Sequence, residues 1–420
     1  MSETQKHTKP NVPNLRFPEF SGEWVPIKLK DIAEIKTGPF GSTLHAEDYV
    51  SDGIPIITTE HFKTGTLPIE KSGLPQVSPT DYLRLKSYRL SINDIVFSRV
   101  GSVDINAHVN KEQEGWLFSG RVLRVRPNSS INSNFLHWCL STEKNRANIA
   151  RRAVGQTMPS INTEILNETE LFISDSHREQ DKIANLLTLV DERISIQNKV
   201  IERLKSLIKG INNRLMDNPL WDKIYLGNFM QFYSTNSLSW EQLSYENGSM
   251  RNLHYGLIHI GLPTMTDCRD NTLPYIQSPF IPKQFTICKD GDIAFADASE
   301  DTEEVGKAIE LYNTGSMDIV CGLHTIHGRD VTGITVVGFK GFAFNSKFFH
   351  EQLRRLAQGS KVYSITVENI KNCYIYIPKV TEQRKIVSLM LCLQEKIKCA
   401  ERELDIYEIQ KQFMLREMLV

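Results

Sequence analysis

Several features that would assign a membrane, secreted or catalytic role are missing from this chain of 420 residues. It has 7 cysteines and no C-x-x-C pair, so neither a disulfide framework nor an obvious zinc site is indicated. No segment approaches the roughly 20 consecutive apolar residues that cross a bilayer. The basic N-terminal residues are followed by no apolar run, unlike a signal peptide. These absences predict a reduced, multidomain, cytoplasmic protein.

Motifs for cofactor chemistry are missing as well. The phosphate-binding patterns G-x-x-x-x-G-K-[ST] and G-x-G-x-x-G do not occur, nor does the methyltransferase tetrapeptide [DNS]-P-P-[YFW]. We therefore expect no catalytic residues, and no metal or cofactor bound by this chain. With 49 Lys+Arg against 50 Asp+Glu, it also lacks the basic excess of a protein that grips DNA unaided. Any nucleic-acid binding must use local patches or partner proteins.

What the chain does contain is an internal repeat, clearest in two long amphipathic segments. Apolar residues recur at alternating steps of four and three over 177–216, and the spacing returns 203 residues later over 381–420. Heptad spacing held this long is typical of coiled-coil helices. The predicted seam residues are Ile183, Leu187, Val190, Ile194, Ile201, Leu204 and Ile208 in the first helix, and Ile386, Met390, Leu393, Ile397 and Leu404 in the second.

Four other residues of these helices carry expectations. Gln197 and Lys411 interrupt the two seams, and a polar residue at such a position usually specifies register. Cys392 and Cys399 lie seven apart and are predicted to pack beside the seam.

The segments that precede the helices repeat too. Gly155 has a counterpart in Gly359, and the segment 94–97 (DIVF) returns as 292–295 (DIAF). Short β-branched runs predict strands in both copies, over 54–59, 94–100, 121–127, 255–260, 292–297 and 333–339. Helices are predicted over 135–154 and 348–358.

The predicted fold class is α+β, with two α/β modules in a pseudo-two-fold repeat, joined and spaced by two long antiparallel coiled-coil helices. A helix of 40 residues spans about 60 Å. Because the first helix must end where module two begins, antiparallel packing returns the second helix to module one, whereas parallel packing leaves half of each seam unpaired. The predicted organisation is a flexible N-terminus over 1–14, module one over 15–176, the central helix over 177–216, module two over 217–380 and the C-terminal helix over 381–420.

Loops that combine glycine with basic and hydroxyl residues are the candidate functional sites. The loop 36–45 (KTGPFGSTLH) fits either a DNA-contact loop or a structural turn with Phe40 in the core. Arg99, in a similar loop, could contact a guanine edge bidentately. Basic residues followed by glycine and polar side chains recur in both modules, which favours DNA contact over a merely solvated face. The predicted DNA-binding residues are Lys36, Gly38, Phe40, Ser42, Thr43, His61, Lys63, Arg99, Ser102, Arg151, Arg152, Gln156, Thr157, Arg354, Arg355, Lys361 and Tyr363.

Other interpretations stay open. Glu34 and Lys36 form the E-x-K of a metal-dependent nuclease, but such a site needs carboxylates converging on Mg²⁺ from separated positions. His324 and His327 form H-x-x-H; three apart on a strand they face opposite sides, so joint metal binding is not expected. The acidic run within 297–304 would have to face away from phosphate. A coiled-coil scaffold that ignores DNA explains the helices but not the repeated loops.

Taken together, several segments resemble the specificity subunit of type I restriction-modification systems. They are 14–24 (NLRFPEFSGEW), 38–42 (GPFGS), 94–102 (DIVFSRVGS), 155–161 (GQTMPSI) and the EQ-x-K-I start of both long helices. The resemblance extends from about residue 14 to the C-terminus. It implies that each module is a target recognition domain for one half of a bipartite, asymmetric DNA site, and that the helices set the spacer. Module two departs from the pattern, because its loop 233–240 (YSTNSLSW) is no counterpart of GPFGS.

The resemblance also implies partners. Two adenine methyltransferase subunits are expected to dock on this chain, and two ATP-driven restriction subunits to complete the complex on double-stranded DNA. S-adenosylmethionine, ATP and Mg²⁺ would then be cofactors of those partners, and this chain would be a non-catalytic subunit without membrane association. A methyltransferase partner would flip its target adenine out of the base stack.

Overall fold

The computed structural model describes residues 11–39, 43–270, 272–301, 304–359 and 361–420. They form two compact units: unit 1 runs to Asn198 and includes Arg402–Val420, and unit 2 comprises Lys199–Glu401. Both boundaries fall inside the long helices, so each unit combines a globular part with a stretch of both helices. Each unit contains helices and sheets, in agreement with the predicted α+β class.

Unit 1 contains two four-stranded sheets and a separate strand pair. The strand orders are β2-β9-β6-β7, β3-β5-β4-β8 and β1-β10. The central strand β6 (IVFS) is buried along its whole length, because β9 and β7 flank it and its alternating side chains pack into two cores, Ile95 and Phe97 in one and Val96 in the other. The strands are β1 Val25–Lys28, β2 Ala33–Thr37, β3 Tyr49–Val50, β4 Ile54–Ile57, β5 Gln76–Val77, β6 Ile95–Ser98, β7 Asn106–His108, β8 Leu117–Phe118, β9 Val122–Pro127 and β10 Glu170–Ile173. The helices are α1 Leu29–Ile32, α2 Pro79–Arg84, α3 Ser133–Ser141, α4 Glu143–Arg151, α5 Thr163–Asn167 and α6 His177–Met216.

Unit 2 repeats this plan with more strands. Its sheets have the orders β12-β21-β17-β19-β15, β13-β16-β14-β20, β11-β23 and β18-β22. The strands are β11 Asp222–Tyr225, β12 Met230–Tyr233, β13 Leu243–Ser244, β14 Met250–Leu253, β15 Met265–Asp267, β16 Tyr275–Ile276, β17 Ile293–Ala296, β18 Ala298–Ser299, β19 Ala308–Tyr312, β20 Asp318–Cys321, β21 Thr325–Asp330, β22 Tyr363–Ser364 and β23 Tyr374–Ile377. The helices are α7 Tyr255–Ile260, α8 Phe339–Phe344, α9 Lys347–Leu356, α10 Val367–Lys371 and α11 Val380–Met418.

Within unit 1, α6 and α11 run antiparallel. Lys411 forms an ion pair with Asp191, the Arg193 guanidinium lies 5.0 Å from the Tyr407 ring centroid, and Gln197 Nε2 donates to Glu403 Oε2 at 3.1 Å. Residue numbers therefore rise along α6 as those of the partners fall along α11. Both polar seam residues contact the opposite helix, which fits their predicted role in register.

Within unit 2 the same two helices form another antiparallel stretch. Lys205 Nζ lies 3.0 Å from Glu401 Oε1, and side chains from the end of α6 share one core with side chains from the start of α11. All twelve predicted seam residues are buried or partly buried, as a seam between the helices requires. Cys392 and Cys399 are exposed, so their predicted packing role is wrong.

Two predicted strands are wrong because local hydrogen bonds favour other conformations. The segment 255–260 is the helix α7, whose N-terminus is capped by the His254 side chain accepting from the N–H of Gly256. The segment 333–339 is a loop that leads into α8. Its start is held by the Asp330 carboxylate, which accepts from the N–H groups of Thr332, Gly333 and Thr335.

Two predicted boundaries also shift. The helix predicted over 135–154 is divided into α3 and α4 at Thr142, whose hydroxyl oxygen accepts from the N–H of Asn145 and starts the second helix. The globular part of unit 1 begins by residue 11 rather than 15, since the Asn11 carbonyl accepts from the N–H of Trp24 at 2.7 Å.

Candidate nucleic-acid interface

A buried aspartate precedes the central strand in both units. Asp94 accepts from the N–H of Ser91 at 2.7 Å and from two nitrogens of Arg126 at 2.6 and 2.7 Å. Asp292 accepts from the N–H of Lys289 at 2.8 Å and from two nitrogens of Arg329 at 2.7 and 2.6 Å. The repeated D-I-x-F motif thus has a structural role, fixing where the central strand begins.

A tight loop follows the helical segment in both units. Val154 and Ser160 exchange two backbone hydrogen bonds of 2.9 Å, and Gln358 and Ser364 exchange bonds of 3.0 and 2.8 Å. The first residue inside each loop, Gly155 or Gly359, has φ of +104° or +134°, and an added Cβ would collide with a backbone carbonyl. Only glycine fits such a position without strain. The predicted contact residues Gln156, Thr157 and Lys361 are exposed on these loops, and Tyr363 is half-buried.

Each loop is joined to the end of the central strand in the same way. The N–H of Ile161 donates to the Arg99 carbonyl at 2.9 Å, and the N–H of Ile365 donates to the Asp297 carbonyl at 2.9 Å. Two segments that lie 62 residues apart in unit 1 and 68 residues apart in unit 2 thereby form one surface in each unit. These surfaces, the strand end plus the glycine loop, are called the loop surfaces of units 1 and 2.

The loop surface of unit 1 continues into a cavity of about 490 Å³. Its lining combines apolar side chains with hydroxyl and charged groups. The lining residues are Pro39, Leu44, Tyr49, Thr58, Thr59, Glu60, Ser119, Gly120 and Arg121. Burial raises the pKa of Tyr49, and the positive charge of the Arg121 guanidinium opposes that rise.

Of the predicted DNA-binding residues in the loop 36–45, some are described and others lie outside the described residues. Lys36 Nζ donates to the Ser87 carbonyl at 2.9 Å and lies 4.9 Å from the Tyr88 ring centroid. Gly38 is buried, and Thr43 is half-buried. The predictions for Phe40 and Ser42 lie outside the described residues.

The other predicted residues of unit 1 also differ in their availability. Lys63 and Ser102 are exposed, although Lys63 pairs with Glu60. His61 is half-buried: its Nδ1 accepts from the N–H of Thr58 at 3.1 Å, and burial lowers its pKa. Arg99 is half-buried, and its Nη1 donates to the Gly120 carbonyl at 2.9 Å.

The two predicted arginine pairs are exposed in both units. Arg151 is exposed at the end of α4, whereas Arg152 donates to the Thr169 hydroxyl and to the Glu168 carbonyl. Arg354 and Arg355 are exposed in the last turn of α9. Arg151 and Arg355 are therefore better candidates for phosphate contact than Arg152, whose hydrogen bonds give it a structural role.

Sequence reasoning missed a ring cluster on the loop surface of unit 2. The Trp240 and His254 ring centroids lie 4.5 Å apart, those of His254 and Tyr255 4.8 Å, and those of Tyr255 and His324 5.1 Å. It also missed Arg121, which begins the predicted strand 121–127. Aligning the two copies at the 203-residue offset would have placed Arg121 opposite His324.

The alternative metal sites can be compared with the geometry. Glu34 pairs with Arg124 at 2.7 Å rather than with another carboxylate, which removes support for an E-x-K nuclease site. His324 is exposed beside Asp297, and His327 is buried beside Asp292, so the two histidines do not converge. Among the described residues, one group has metal-ligand atoms within 4.8 Å of one another, namely Cys288, Cys321 and His327. All three lie buried in unit 2.

Comparison with known proteins shows similarity to one family over about half of the chain. Residues 21–206 match the family profile described as "Type I restriction modification DNA specificity domain". The chain is 28% identical over 229 residues to the putative type I restriction enzyme MjaX specificity subunit of Methanocaldococcus jannaschii, covering 52% of this chain and 51% of that protein. The type I restriction enzyme MjaVIII specificity subunit of the same organism is 22% identical over 209 residues, covering 48% and 47%. Over residues 21–206, this chain is therefore similar to type I restriction-modification specificity subunits. It spans about half the length of the curated relatives it matches.

A solved structure has a similar fold. The S subunit of a type I restriction-modification system from M. genitalium superposes with a TM-score of 0.58 at 16% identity, covering 97% of this chain and 99% of that one. Among the described residues, no helix is long and apolar enough to cross a membrane.

Two of the motifs that resemble specificity subunits have structural roles. Arg16, from the segment 14–24, donates to both carboxylate oxygens of Glu179 at 2.6 and 2.8 Å, and Glu179 is fully buried. Gln180 Nε2 donates to the Ser174 carbonyl at 2.7 Å, and its counterpart Gln383 donates to the Pro378 carbonyl at 2.9 Å. Glu179 and Gln180 thus fasten the start of α6 to its globular part, and Gln383 alone does so for α11, where Glu382 is exposed.

Proposed function

We propose that this chain is the DNA-binding specificity subunit of a type I restriction-modification complex, and that each unit recognises one half of a bipartite, asymmetric site. The observation that carries the proposal is the repeated loop surface. Both units hold the same backbone frame, with exposed polar and basic side chains around a glycine loop. The side chains on the two frames differ, as unlike half-sites require. Backbone amides, arginines and hydroxyl groups are the usual protein contacts to DNA phosphates.

The proposed subunit is non-catalytic. Its described residues include no convergent carboxylates at Glu34, and its candidate loop residues are donors suited to binding. S-adenosylmethionine, ATP and Mg²⁺ would act in two methyltransferase and two restriction subunits bound to it. Partners that supply cationic surface would also account for the net charge of −1, which is low for a protein that binds DNA alone.

The long helices would set the spacer and carry the methyltransferase subunits. An apolar stripe on the outer face of α11 supports this, since Cys392, Cys399, Ile406 and Phe413 recur every seven residues and are exposed. On α6, Leu189 and Ile196 are 62% and 60% exposed at the same spacing, apart from the seam. Exposed apolar residues at heptad spacing are what a partner helix packs against.

The proposal is tested by sequencing methylated adenines in cells that carry the methyltransferase partner with and without this chain. A bipartite adenine motif that depends on the chain is expected, and its absence would refute the proposal. Exchanging residues 15–165 for those of another family member should change one half of the motif only. A change in both halves would contradict independent recognition by the two units.

Partner docking has its own test. Ile406→Asp should weaken copurification of the methyltransferase subunit without lowering the melting temperature, because the side chain is 61% exposed. Leu83→Asp is the matched control: Leu83 is 69% exposed on α2, away from the long helices, and should leave copurification unchanged. Equal copurification of both variants would contradict docking on the stripe.

A further inference from the structure

Two pairs of side chains occupy equivalent places on the two loop surfaces. The N–H of Arg99 donates to the Arg121 carbonyl at 3.0 Å, and the N–H of Asp297 donates to the His324 carbonyl at 3.1 Å. The carbonyls of Arg99 and Asp297 in turn accept from the glycine loops, as described above. Arg99 therefore corresponds to Asp297, and Arg121 corresponds to His324.

The flanking hydrogen bonds support this correspondence. The N–H of Ser119 donates to the Ile57 carbonyl at 2.9 Å, and the N–H of Gly322 donates to the Leu253 carbonyl at 2.9 Å. Ser119 and Gly322 precede Arg121 and His324 by two residues in each unit. The same frame thus carries two positive side chains in unit 1, and a carboxylate with an imidazole in unit 2.

The unit 2 pair is held in place by its neighbours. His324 Nδ1 lies 3.1 Å from Asp297 Oδ1, the ring packs against Tyr255, and the residue adopts a left-handed φ of +53°. The side chains stay accessible, with exposed fractions of 49% for His324 and 31% for Asp297. A residue other than glycine in this conformation is uncommon, and such residues cluster at ligand-binding positions.

The unit 1 pair is arranged differently. Arg121 is exposed at the cavity that Tyr49 and Glu60 also line. Arg99 donates to the carbonyl of Gly120, next to Arg121 in sequence, and so supports the backbone that presents the Arg121 guanidinium. Arg121 is therefore the side chain of unit 1 that is best placed to reach a ligand.

We infer that this shared position is a specificity-determining position in both units, with Arg121 selecting guanine in one half-site and the Asp297–His324 pair selecting a base with an exocyclic amino group in the other. The inference rests on the proposed function and names residues for it. Guanine presents two acceptors, O6 and N7, in the major groove, and a guanidinium donates to both. Cytosine and adenine present amino hydrogens, which a carboxylate accepts, whereas guanine acceptors would repel it. The Asp297 carboxylate, the first of the acidic run within 297–304, would then face a base edge rather than phosphate.

The test uses the full chain with its methyltransferase partner. The methylated motif is determined first for the wild type, and the exchange of residues 15–165 assigns each half to a unit. Arg121→Ala and Asp297→Asn are then compared with Arg178→Ala and Asp222→Asn, matched controls at exposed positions outside the loop surfaces. Discrimination is measured as the affinity ratio between the motif and duplexes with a single base pair changed, at one fixed salt concentration.

Arg121→Ala should lower discrimination at one guanine of the unit 1 half-site by about 5- to 150-fold, and leave the other half unchanged. Asp297→Asn should do the same at one adenine or cytosine of the unit 2 half-site. The controls should keep the wild-type motif. Arg121→Lys and His324→Gln provide second variants should either first variant have a lowered melting temperature.

Three results would overturn the inference. If the variants discriminate at every base pair as the wild type does, Arg121 and the Asp297–His324 pair do not determine specificity, and the proposed function is unaffected. A uniform loss over both half-sites would make these side chains phosphate contacts rather than base contacts. If the wild-type chain itself gives no methylation motif, the proposed function fails, and the inference fails with it.

Discussion

The ion pair between Arg16 and Glu179 should be worth several times more than a surface pair of equal length. Arg16 Nε lies 2.6 Å from Glu179 Oε1, and the carboxylate side chain is fully buried while Arg16 is 13% exposed. Lys28 and Lys30 each lie 2.6 Å from Glu168, but all three side chains are 43–45% exposed. The two sites have ion pairs of equal length, and they differ in burial and in the two additional hydrogen bonds that Arg16 donates to the Ser21 and Gly22 carbonyls.

The magnitude follows from what each substitution leaves behind. Arg16→Ala leaves the Glu179 carboxylate buried, with the Ser174 hydroxyl at 2.5 Å as its remaining side-chain partner. Removing one partner of a buried pair costs about 3–5 kcal/mol. Lys28→Ala leaves Glu168 in water and still paired with Lys30, so it should be nearly neutral. Replacing both Arg16 and Glu179 by methionine should recover part of the loss, because no buried charge then remains.

The assay is urea unfolding followed by circular dichroism, with the change in unfolding free energy taken from the midpoint and slope. The order expected is wild type, Lys28→Ala, the double methionine variant, then Arg16→Ala as the least stable. If Arg16→Ala costs no more than Lys28→Ala, the segment 14–24 does not hold the start of α6, and the structural role assigned to this motif is wrong.

Three further predictions follow from the helices and from a buried histidine. Ile194→Asp places a charge in the seam and should lower the free energy of unfolding by several kcal/mol in the same urea assay. Ile196→Asp, at a position that is 60% exposed, should be nearly neutral. Equal effects of the two substitutions would refute the assignment of Ile194 to the seam. Burial and the neighbouring His108 and Lys411 lower the pKa of His137 from 6.5 to about 3. Between these two pKa values the unfolded chain takes up a proton on this imidazole, and the folded chain excludes it. The free energy of unfolding should therefore fall by up to about 1.4 kcal/mol for each unit by which the pH drops. His137→Gln should flatten this pH dependence between pH 7 and 5. One heptad inserted in both helices, after Ile201 and after Leu404, lengthens them by about 10 Å and should extend the DNA spacer by about three base pairs. An unchanged methylated motif would mean that the helices do not set the spacer.

The long helices were predictable because the heptad period alone is enough to identify them. Heptad spacing identified α6 with both of its bounds, and α11 to within two residues, since the seam must stay on one side of a regular helix. Short elements were less predictable. The apolar run 255–260 satisfies strand and helix patterns equally, and the cap from His254 decides for a helix. The run 333–339 has strand-forming residues, but Asp330 holds its start in a turn.

The candidate site was predictable in its loops but not in its key side chains. Glycine, basic and hydroxyl residues marked the loops around residues 99 and 155, because the backbone there needs a positive φ and the exposed surface is polar. The order of residues in the sequence does not show which side chains already form hydrogen bonds within the fold. Lys36 and Arg152 carry the expected charge, yet both donate to groups within unit 1.

By itself, the sequence determined that this chain has two copies of one plan, each ending in a long heptad helix, with no motif for bound cofactors. Periodicity and repetition are properties of the linear chain, so they can be recognised from the sequence alone. Only the tertiary structure decided which residues share a surface. Arg99 and Arg121 are brought together by one backbone hydrogen bond between strands, as are Asp297 and His324. Such pairing depends on strand register, which is set by packing across the whole sheet rather than by the residues that it brings together.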